Sequence, residues 1–159
     1  MDKLIFIQKC VAELYPFTAG ELAFFKEELN FTYVSANRKI DWSFNLIKEL
    51  EEHWNLELLD SNKAVFDKVT LGLIFPDKIE LPKCSCYRRD DFCEDAQCSI
   101  NARRLQYTSN LRLKDSITYF RIAILCDTQL LEKDLLFELY KNESSHLIEV
   151  LLDSSFNNS

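Results

Sequence analysis

The chain of 159 residues contains very little glycine and proline. It has two Gly and three Pro, whereas proteins on average contain about 7% and 5% of these residues. The loops that bind phosphate groups in nucleotide-dependent enzymes need clustered glycines, so the sequence excludes this class of site. The shortage also favours a mainly α-helical fold, and it leaves open an α+β fold with a minor sheet.

The sequence also predicts neither a signal peptide nor a membrane-spanning segment. The N-terminal apolar run comprises only residues 4–7, whereas a signal peptide needs about 7–15 apolar residues and a membrane helix about 18. We therefore predict a cytoplasmic protein that does not contact membranes. In a reducing compartment, its six cysteines are expected as thiols or metal ligands rather than disulfides.

Common catalytic motifs are missing as well. The two histidines, His53 and His146, are each predicted in a helix with acidic neighbours, and neither belongs to a metal-binding motif. No G-x-S-x-G motif occurs. A pairing of Cys126 with His146 stays open, because the fold brings catalytic partners together from distant positions. The sequence thus favours a non-enzymatic protein, with a thiol-dependent enzyme as an alternative.

What the sequence does contain fits one globular domain covering residues 1–159, with 47% hydrophobic and 28% charged residues. The net charge is -7, which disfavours broad contact with a nucleic-acid backbone and favours a basic partner. Cys10 and Cys126 stand alone in apolar surroundings, and we expect both to be buried.

Residues 18–66 contain two copies of a 25-residue helical repeat. Thr18 and Ser43 are each predicted to cap a helix. Each helix should bury one apolar face and end at Asn30 or Asn55, and the following segment should lead to an Asn that bonds nearby backbone in a turn. The aligned pairs are Thr18/Ser43, Leu22/Ile47, Phe25/Leu50, Leu29/Trp54, Asn30/Asn55, Phe31/Leu56, Val34/Leu59, Asn37/Asn62 and Ile40/Val65.

The repeat resembles one found in proteins of large viruses and bacteria, with a pattern close to W-[DN]-[WF]-x-x-L-S-x-N-x-x-I-x-W-[ST]. The resemblance rests on Val34-Ser35-x-Asn37, Trp42-Ser43 and Trp54-Asn55. It implies a unit for stacking or interaction and carries no known activity. We expect Trp42 and Trp54 to be anchors of the core.

A cysteine-rich loop spans residues 82–104. Its four cysteines follow the pattern C-x-C-x6-C-x4-C, which could complete a tetrahedral Zn site. Paired C-x2-C motifs are the usual zinc-binding form, so unmetallated or reversibly oxidised thiols and an iron-sulfur cluster remain alternatives. The predicted ligands are Cys84, Cys86, Cys93 and Cys98.

The same part of the chain is slightly basic. Residues 83–112 carry six basic and four acidic residues, so the remaining chain has a net charge of -9. These basic residues either pair with acidic groups of the protein or contact nucleic acid or an acidic partner. The candidate contact residues are Arg88, Arg89, Arg103, Arg104 and Tyr107.

The remaining segments give further expectations about structure. Apolar residues alternate over 65–75, which predicts a strand that ends at Pro76. Residues 117–126 could form a buried strand or a buried helix. Within the C-terminal part, 113–153, helices are predicted over 128–141 and from Ser144 to Leu152, the latter with Leu147 turned inward.

Together these features favour a non-enzymatic, intracellular protein-binding module of the inhibitor, antagonist or immunity type, with a structural zinc site. A zinc-stabilised nucleic-acid-binding regulator is the alternative.

Overall fold

The computed structural model describes residues 2–79, 81 and 109–156. The prediction of a mainly α fold is confirmed, and no strand or sheet occurs within these ranges. A 3-10 helix spans Leu71–Leu73, and the α-helices are α1 (Lys3–Leu14), α2 (Ala19–Phe24), α3 (Phe31–Ser35), α4 (Phe44–Glu49), α5 (Leu56–Asp60), α6 (Lys63–Phe66), α7 (Asn110–Lys114), α8 (Ser116–Asp127), α9 (Lys133–Tyr140) and α10 (His146–Phe156).

The first helix of each repeat begins at the predicted cap. The Thr18 side chain accepts a hydrogen bond from the N–H of Glu21 (3.1 Å), and the Glu21 carboxylate accepts one from the N–H of Thr18 (2.9 Å). Ser43 caps α4 by accepting from the N–H of Leu46 (3.1 Å). The predicted apolar faces are buried in both copies, with every member at most 7% exposed: Leu22, Phe25 and Leu29, and Ile47, Leu50 and Trp54.

Asn30 and Asn55 begin the second helix of each repeat, so the prediction that they end the first helix was wrong. Their side chains accept hydrogen bonds from the N–H groups of Thr32 and Leu58, both at 3.1 Å. Their φ angles are -89° and -82°, outside the left-handed region. Asn is favoured at both kinds of helix end, and here the helix that follows uses its side chain.

The side chains of Asn37 and Asn62 join consecutive repeats, and we call this pair the Asn ladder. Asn37 Nδ2 donates to the carbonyls of Ala12 (2.9 Å) and Tyr15 (2.7 Å), and Asn62 Nδ2 donates to those of Ser35 (3.0 Å) and Asn37 (2.8 Å). Asn37 Oδ1 also accepts from backbone N–H groups in the following turn, as predicted. Asn62 Oδ1 instead caps α6 by accepting from the N–H of Ala64, so the turn predicted at Asn62 was wrong. The bonds to Ala12 and Asn37 each span 25 residues, so α1 occupies the place of a preceding repeat.

Backbone groups next to the ladder depend on side chains from the neighbouring repeat. The carbonyl of Ala12 has no N–H to accept from four residues later, because that residue is Pro16. The Asn37 bond therefore satisfies it. Ser35 Oγ donates to the Phe31 carbonyl (2.6 Å) and accepts from the N–H of Asn55 (2.9 Å), which links α3 to the start of α5.

Trp42 and Trp54 are anchors of the core, as predicted. They are 2% and 7% exposed, and their rings meet edge to face with centroids 5.2 Å apart. Each indole N–H also has a partner, since Trp42 donates to the carbonyl of Asn37 and Trp54 to that of Ile47, both at 2.9 Å. Burial of both rings therefore leaves no indole donor unpaired.

A third, partial repeat replaces the strand predicted over 65–75. Backbone hydrogen bonds recur at 25-residue intervals in all three copies: N–H to carbonyl bonds join Phe25 to Glu21, Leu50 to Leu46 and Phe75 to Leu71, and likewise Glu28 to Phe25, His53 to Leu50 and Lys78 to Phe75. Leu73, placed inside by the alternating pattern, is 65% exposed. The apolar residues therefore follow the repeat rather than the two faces of a strand.

The C-terminal helices pack against the α1 side of the repeats. One hydrophobic cluster runs from Phe6 through both repeat copies to Leu152. Two hydrogen bonds tie α1 to α9: Gln8 Nε2 donates to the carbonyl of Leu139 (2.9 Å), and the Tyr140 hydroxyl donates to the carbonyl of Gln8 (2.6 Å). The first helix thus lies between α3 on one side and the C-terminal helices on the other.

The structure also decides or corrects the predictions for this C-terminal part. Residues 117–126 are helical, in α8. The helix predicted over 128–141 begins only at Lys133, because Gln129 has a φ of 62°, a left-handed conformation that an α-helix does not continue through. The last helix starts at His146, where Ser144 Oγ accepts from the N–H of His146 (3.3 Å), and continues to Phe156. Leu147 was wrongly placed inside, since it is 43% exposed.

Candidate functional site

The predicted cysteine loop and basic contact residues lie outside the described residues. The ligands Cys84, Cys86, Cys93 and Cys98 and the contact residues Arg88, Arg89, Arg103, Arg104 and Tyr107 all fall between residues 82 and 108. No cluster of three or more potential metal ligands occurs within 2–79 and 109–156. The zinc site and the nucleic-acid surface therefore remain predictions.

The two isolated cysteines are buried, as predicted, and both are free thiols. Burial raises the pKa of Cys10, and it raises the pKa of Cys126 to about 12, with a further increase from Asp127. A nucleophilic thiol needs a lowered pKa. His146 is exposed at the start of α10 and is not among the groups that shift the pKa of Cys126. The described geometry gives no support to a Cys126–His146 pair.

His53 lies in the turn after α4, not in a helix as predicted. Its ring is half-buried and lies 5.0 Å from that of Phe31, between centroids, at an interplanar angle of 32°. Phe31 also meets Trp54 edge to face at 5.2 Å. These ring contacts join the first copy of the repeat to the second, so His53 has a packing role at the junction of two repeats.

The turns of the repeats carry a series of equivalent carboxylates, which we call the acidic row: Glu27, Glu52 and Asp77. They occupy the same position in the three copies, directly before the residue whose N–H closes the turn. All three are exposed. The first two copies stack through the Asn ladder and the third through apolar residues of the core, so we expect these side chains to project from successive repeats along one surface. Packed helical layers are about 8–10 Å apart, so the row is about 20 Å long.

Some carboxylates next to the acidic row are neutralised by a described lysine. Glu28 pairs with Lys141 of the C-terminal half (2.6 Å), and Glu51 pairs with Lys48 (2.9 Å). Within the described ranges, no ion pair involves a carboxylate of the acidic row. The protein thus presents three carboxylates that do not use their charge in stabilising contacts within this part of the fold.

Sequence comparison at 25-residue spacing missed the third repeat, although the signal extends into it. Leu71, Phe75 and Ile79 align with Leu46, Leu50 and Trp54, which are the buried positions of the second copy. The alternation of apolar residues over 65–75 gave the competing interpretation. Lys68 also stands where Thr18 and Ser43 cap the earlier helices, so the strongest sign of a helix start is missing from the third copy.

Comparison with known proteins identifies no relative: no family model, curated protein or solved structure matches the chain. The resemblance to the viral and bacterial repeat therefore rests on the residues alone. Among the described residues, no helix has both the length and the apolar character to cross a membrane.

Proposed function

We propose that the protein is a non-enzymatic binding module, of the inhibitor, antagonist or immunity type, that recognises a basic segment of another protein through the acidic row. The observation that carries this proposal is the repetition, at one position of three repeats, of an exposed carboxylate that forms no ion pair with another described residue. Stacked repeats commonly bind partners along the surface that their equivalent positions create.

The spacing of the row suggests the form of the partner. A chain in the polyproline II conformation has three residues per turn and rises about 3.1 Å per residue, so every third residue lies on the same side at a separation of about 9 Å. A segment in this conformation with Lys or Arg at every third position would place one cation near each carboxylate. Complementary charge of this kind increases the rate and selectivity of association, and its effect falls as salt is added.

The proposal includes a structural zinc ion held by Cys84, Cys86, Cys93 and Cys98. Four thiolates bind Zn tetrahedrally, and such a site contributes directly to folding free energy. The ion would stabilise the loop between the repeats and the C-terminal helices and would take no part in a reaction. The basic residues of this loop would reduce the negative charge of the Zn-thiolate centre.

Binding to the acidic row can be measured with a fluorescent peptide that has Lys at every third position. The test variant changes Glu27→Gln, Glu52→Gln and Asp77→Asn, which removes three charges without changing size. A matched variant removes three exposed charges elsewhere, with Glu132→Gln, Asp134→Asn and Glu143→Gln. Exposed ion pairs contribute about 0.2–1 kcal/mol each, so we expect the test variant to bind about tenfold more weakly and the matched variant almost as tightly as the wild type.

Equal losses in both variants would mean that net charge alone attracts the peptide, and the proposal would then fail. The same variants can be compared in a pull-down from native lysate, where a stoichiometric partner should be retained by the matched variant and lost by the test variant. Labelled DNA and RNA serve as further probes. If they bind, and binding is lost with Arg103→Ala and Arg104→Ala, the nucleic-acid regulator is the better function.

The zinc component has its own test. Metal analysis of the purified protein should find one zinc per chain, and Cys93→Ser should lose it. A wild-type protein without zinc would remove the metal from the proposal and leave the acidic row unaffected, since none of its carboxylates lies in the cysteine loop.

A further inference from the structure

A cavity of about 290 Å³ lies between the C-terminal end of α1, the turn after α3 and the helices α7 and α8. We call it the Glu13 cavity. Its interior is formed by buried Glu13 and Ser109 and half-buried Tyr119, and its rim by exposed Arg38, Arg112 and Phe120. A water molecule takes about 30 Å³ in the liquid, so the cavity has room for about ten waters and is larger than a single ion needs.

Glu13 is an unusual residue for this depth. It is 5% exposed, and neither oxygen of its carboxyl group has a hydrogen-bond partner among the described residues. The hydroxyl groups of Ser109 and Tyr119 lie close enough to influence it, yet neither meets it in hydrogen-bonding geometry. Burial dominates and raises its pKa, although both hydroxyls and Arg38 act in the opposite direction. A buried carboxylate without a partner costs several kcal/mol, so a donor from outside would be bound favourably.

The rim supplies the opposite charge. Lys39 and Asp127 pair with each other at 3.1 Å, whereas Arg38 and Arg112 form no ion pair with another described residue. The Arg112 guanidinium stacks on the Phe120 ring, 4.9 Å from its centroid, and this contact holds it at the rim. Guanidinium groups bind carboxylates in a bidentate manner. The cavity therefore combines an acceptor at its floor with two anion-binding groups at its mouth.

We propose that the Glu13 cavity binds a free α-amino acid. The ligand's ammonium group would donate to the Glu13 carboxylate, and its carboxylate would face Arg38 and Arg112, while Phe120 and Ala123 offer apolar surface to its side chain. Such a zwitterion satisfies the floor and the rim at the same time. An amine alone would leave the arginines without an anion, and a carboxylate alone would leave Glu13 without a donor.

The test uses calorimetric titration of the full-length protein with each of the twenty common L-amino acids, and with propylamine and butyrate as probes of a single charge. We expect at least one amino acid to bind, and both single-charge probes to bind at least tenfold more weakly. Glu13→Gln keeps the size of the side chain and removes its charge. Loss of one partner of a buried charge pair costs about 2–5 kcal/mol, equivalent to about 30-fold or more in affinity.

Two controls keep the result interpretable. Arg38→Ala alters only an exposed rim residue and should weaken amino-acid binding several-fold while the far-UV circular dichroism spectrum stays unchanged. Glu49→Gln, an exposed carboxylate of α4, should bind as the wild type does. The proposal is overturned if no amino acid binds the folded wild type, if Glu13→Gln binds equally well, or if a single-charge probe binds as tightly. None of these outcomes depends on the acidic row.

Discussion

Removal of the Asn37 side chain should destabilise the protein more than any exposed substitution in the repeats. Asn37 is fully buried, and its amide makes four hydrogen bonds: two donated to the carbonyls of Ala12 and Tyr15, and two accepted from the N–H groups of Lys39 and Ile40. Substitution by Ala removes all four and leaves a small cavity in the core. It therefore tests whether the Asn ladder holds the repeats together.

The magnitude follows from the groups that would lose their only described partner. The Tyr15 carbonyl keeps a bond from the N–H of Phe17 (2.9 Å), and the exposed Lys39 backbone can reach water. The Ala12 carbonyl, opposite Pro16, and the buried N–H of Ile40 would have no replacement. An unsatisfied buried group costs about 1–3 kcal/mol, so we expect Asn37→Ala to lower the free energy of unfolding by about 4 kcal/mol.

Urea denaturation followed by tryptophan fluorescence measures this loss, because Trp42 and Trp54 lie beside the ladder. With a slope of about 2 kcal/mol/M, the midpoint should fall by about 2 M. Asn45→Ala is the matched control, since Asn45 is exposed in α4 and its loss should change stability by less than about 0.5 kcal/mol. Asn37→Asp keeps the acceptor and removes the donor, so it should be at least as harmful as Asn37→Ala.

A loss below about 1 kcal/mol for Asn37→Ala, or one equal to that of Asn45→Ala, would refute the reasoning. It would mean that water enters or the backbone shifts to satisfy the freed groups. In Asn37→Asp, a carboxylate oxygen replaces Nδ2 and faces the carbonyl oxygens of Ala12 and Tyr15, to which it cannot donate. If this variant were as stable as the wild type, the two donated bonds would contribute little to stability.

Three further predictions concern other parts of the fold. A Cβ at Gly72 would lie 2.9 Å from Leu81 Cδ2 and 3.1 Å from the Ile79 carbonyl oxygen, so Gly72→Ala should lower the free energy of unfolding by about 1–3 kcal/mol. Adding Leu81→Ala should recover part of this loss, and a Gly72→Ala variant as stable as the wild type would contradict the contact. Thr18→Ala should lower the free energy of unfolding by about 1 kcal/mol and Thr18→Ser by much less, as measured by thermal unfolding. Equal losses in the two variants would show that the Thr18 hydroxyl does not stabilise α2 as a cap. The raised pKa of Glu13 means that its ionisation favours the unfolded state. The stability of the wild type relative to Glu13→Gln should therefore fall as the pH rises above the ordinary pKa of 4.5. If the difference in stability between the two proteins did not depend on pH, the environment of Glu13 would be equally polar in the folded and unfolded states.

Local capping chemistry and repeat spacing could be predicted from the sequence because each depends on nearby residues. Thr18 and Ser43 cap helices as predicted, and the residues three and seven positions apart in each copy are buried. The same spacing predicted the turn at Asn37, whereas Asn62 caps α6 instead. The buried state of Trp42 and Trp54 followed from their size and apolar character.

Contacts between repeats could not be predicted in the same way, because they depend on which groups the stacking brings together. The amide of Asn37 could be assigned to its own turn, but its bonds to Ala12 and Tyr15 require knowledge that α1 packs beside α3. The same limit applies to Glu13, whose separation from Ser109 and Tyr119 in the sequence exceeds 90 residues. Its isolation inside a cavity depends on the packing of α1 against α7 and α8.

Within the described residues the ladder has two steps, and local hydrogen bonds explain why the carbonyl of Asn62 does not offer a third. The carbonyl of Asn37 accepts from the side chains of Asn62 and Trp42, so it is available to the next repeat. The equivalent carbonyl of Asn62 accepts instead from the N–H groups of Val65 and Phe66, in α6. That helix takes the place of the extended turn that follows Asn37, and position 67 carries Asp where the first copy has Trp42. The third repeat therefore packs through its apolar residues, and α6 closes the ladder by using the acceptor that a further Asn would need.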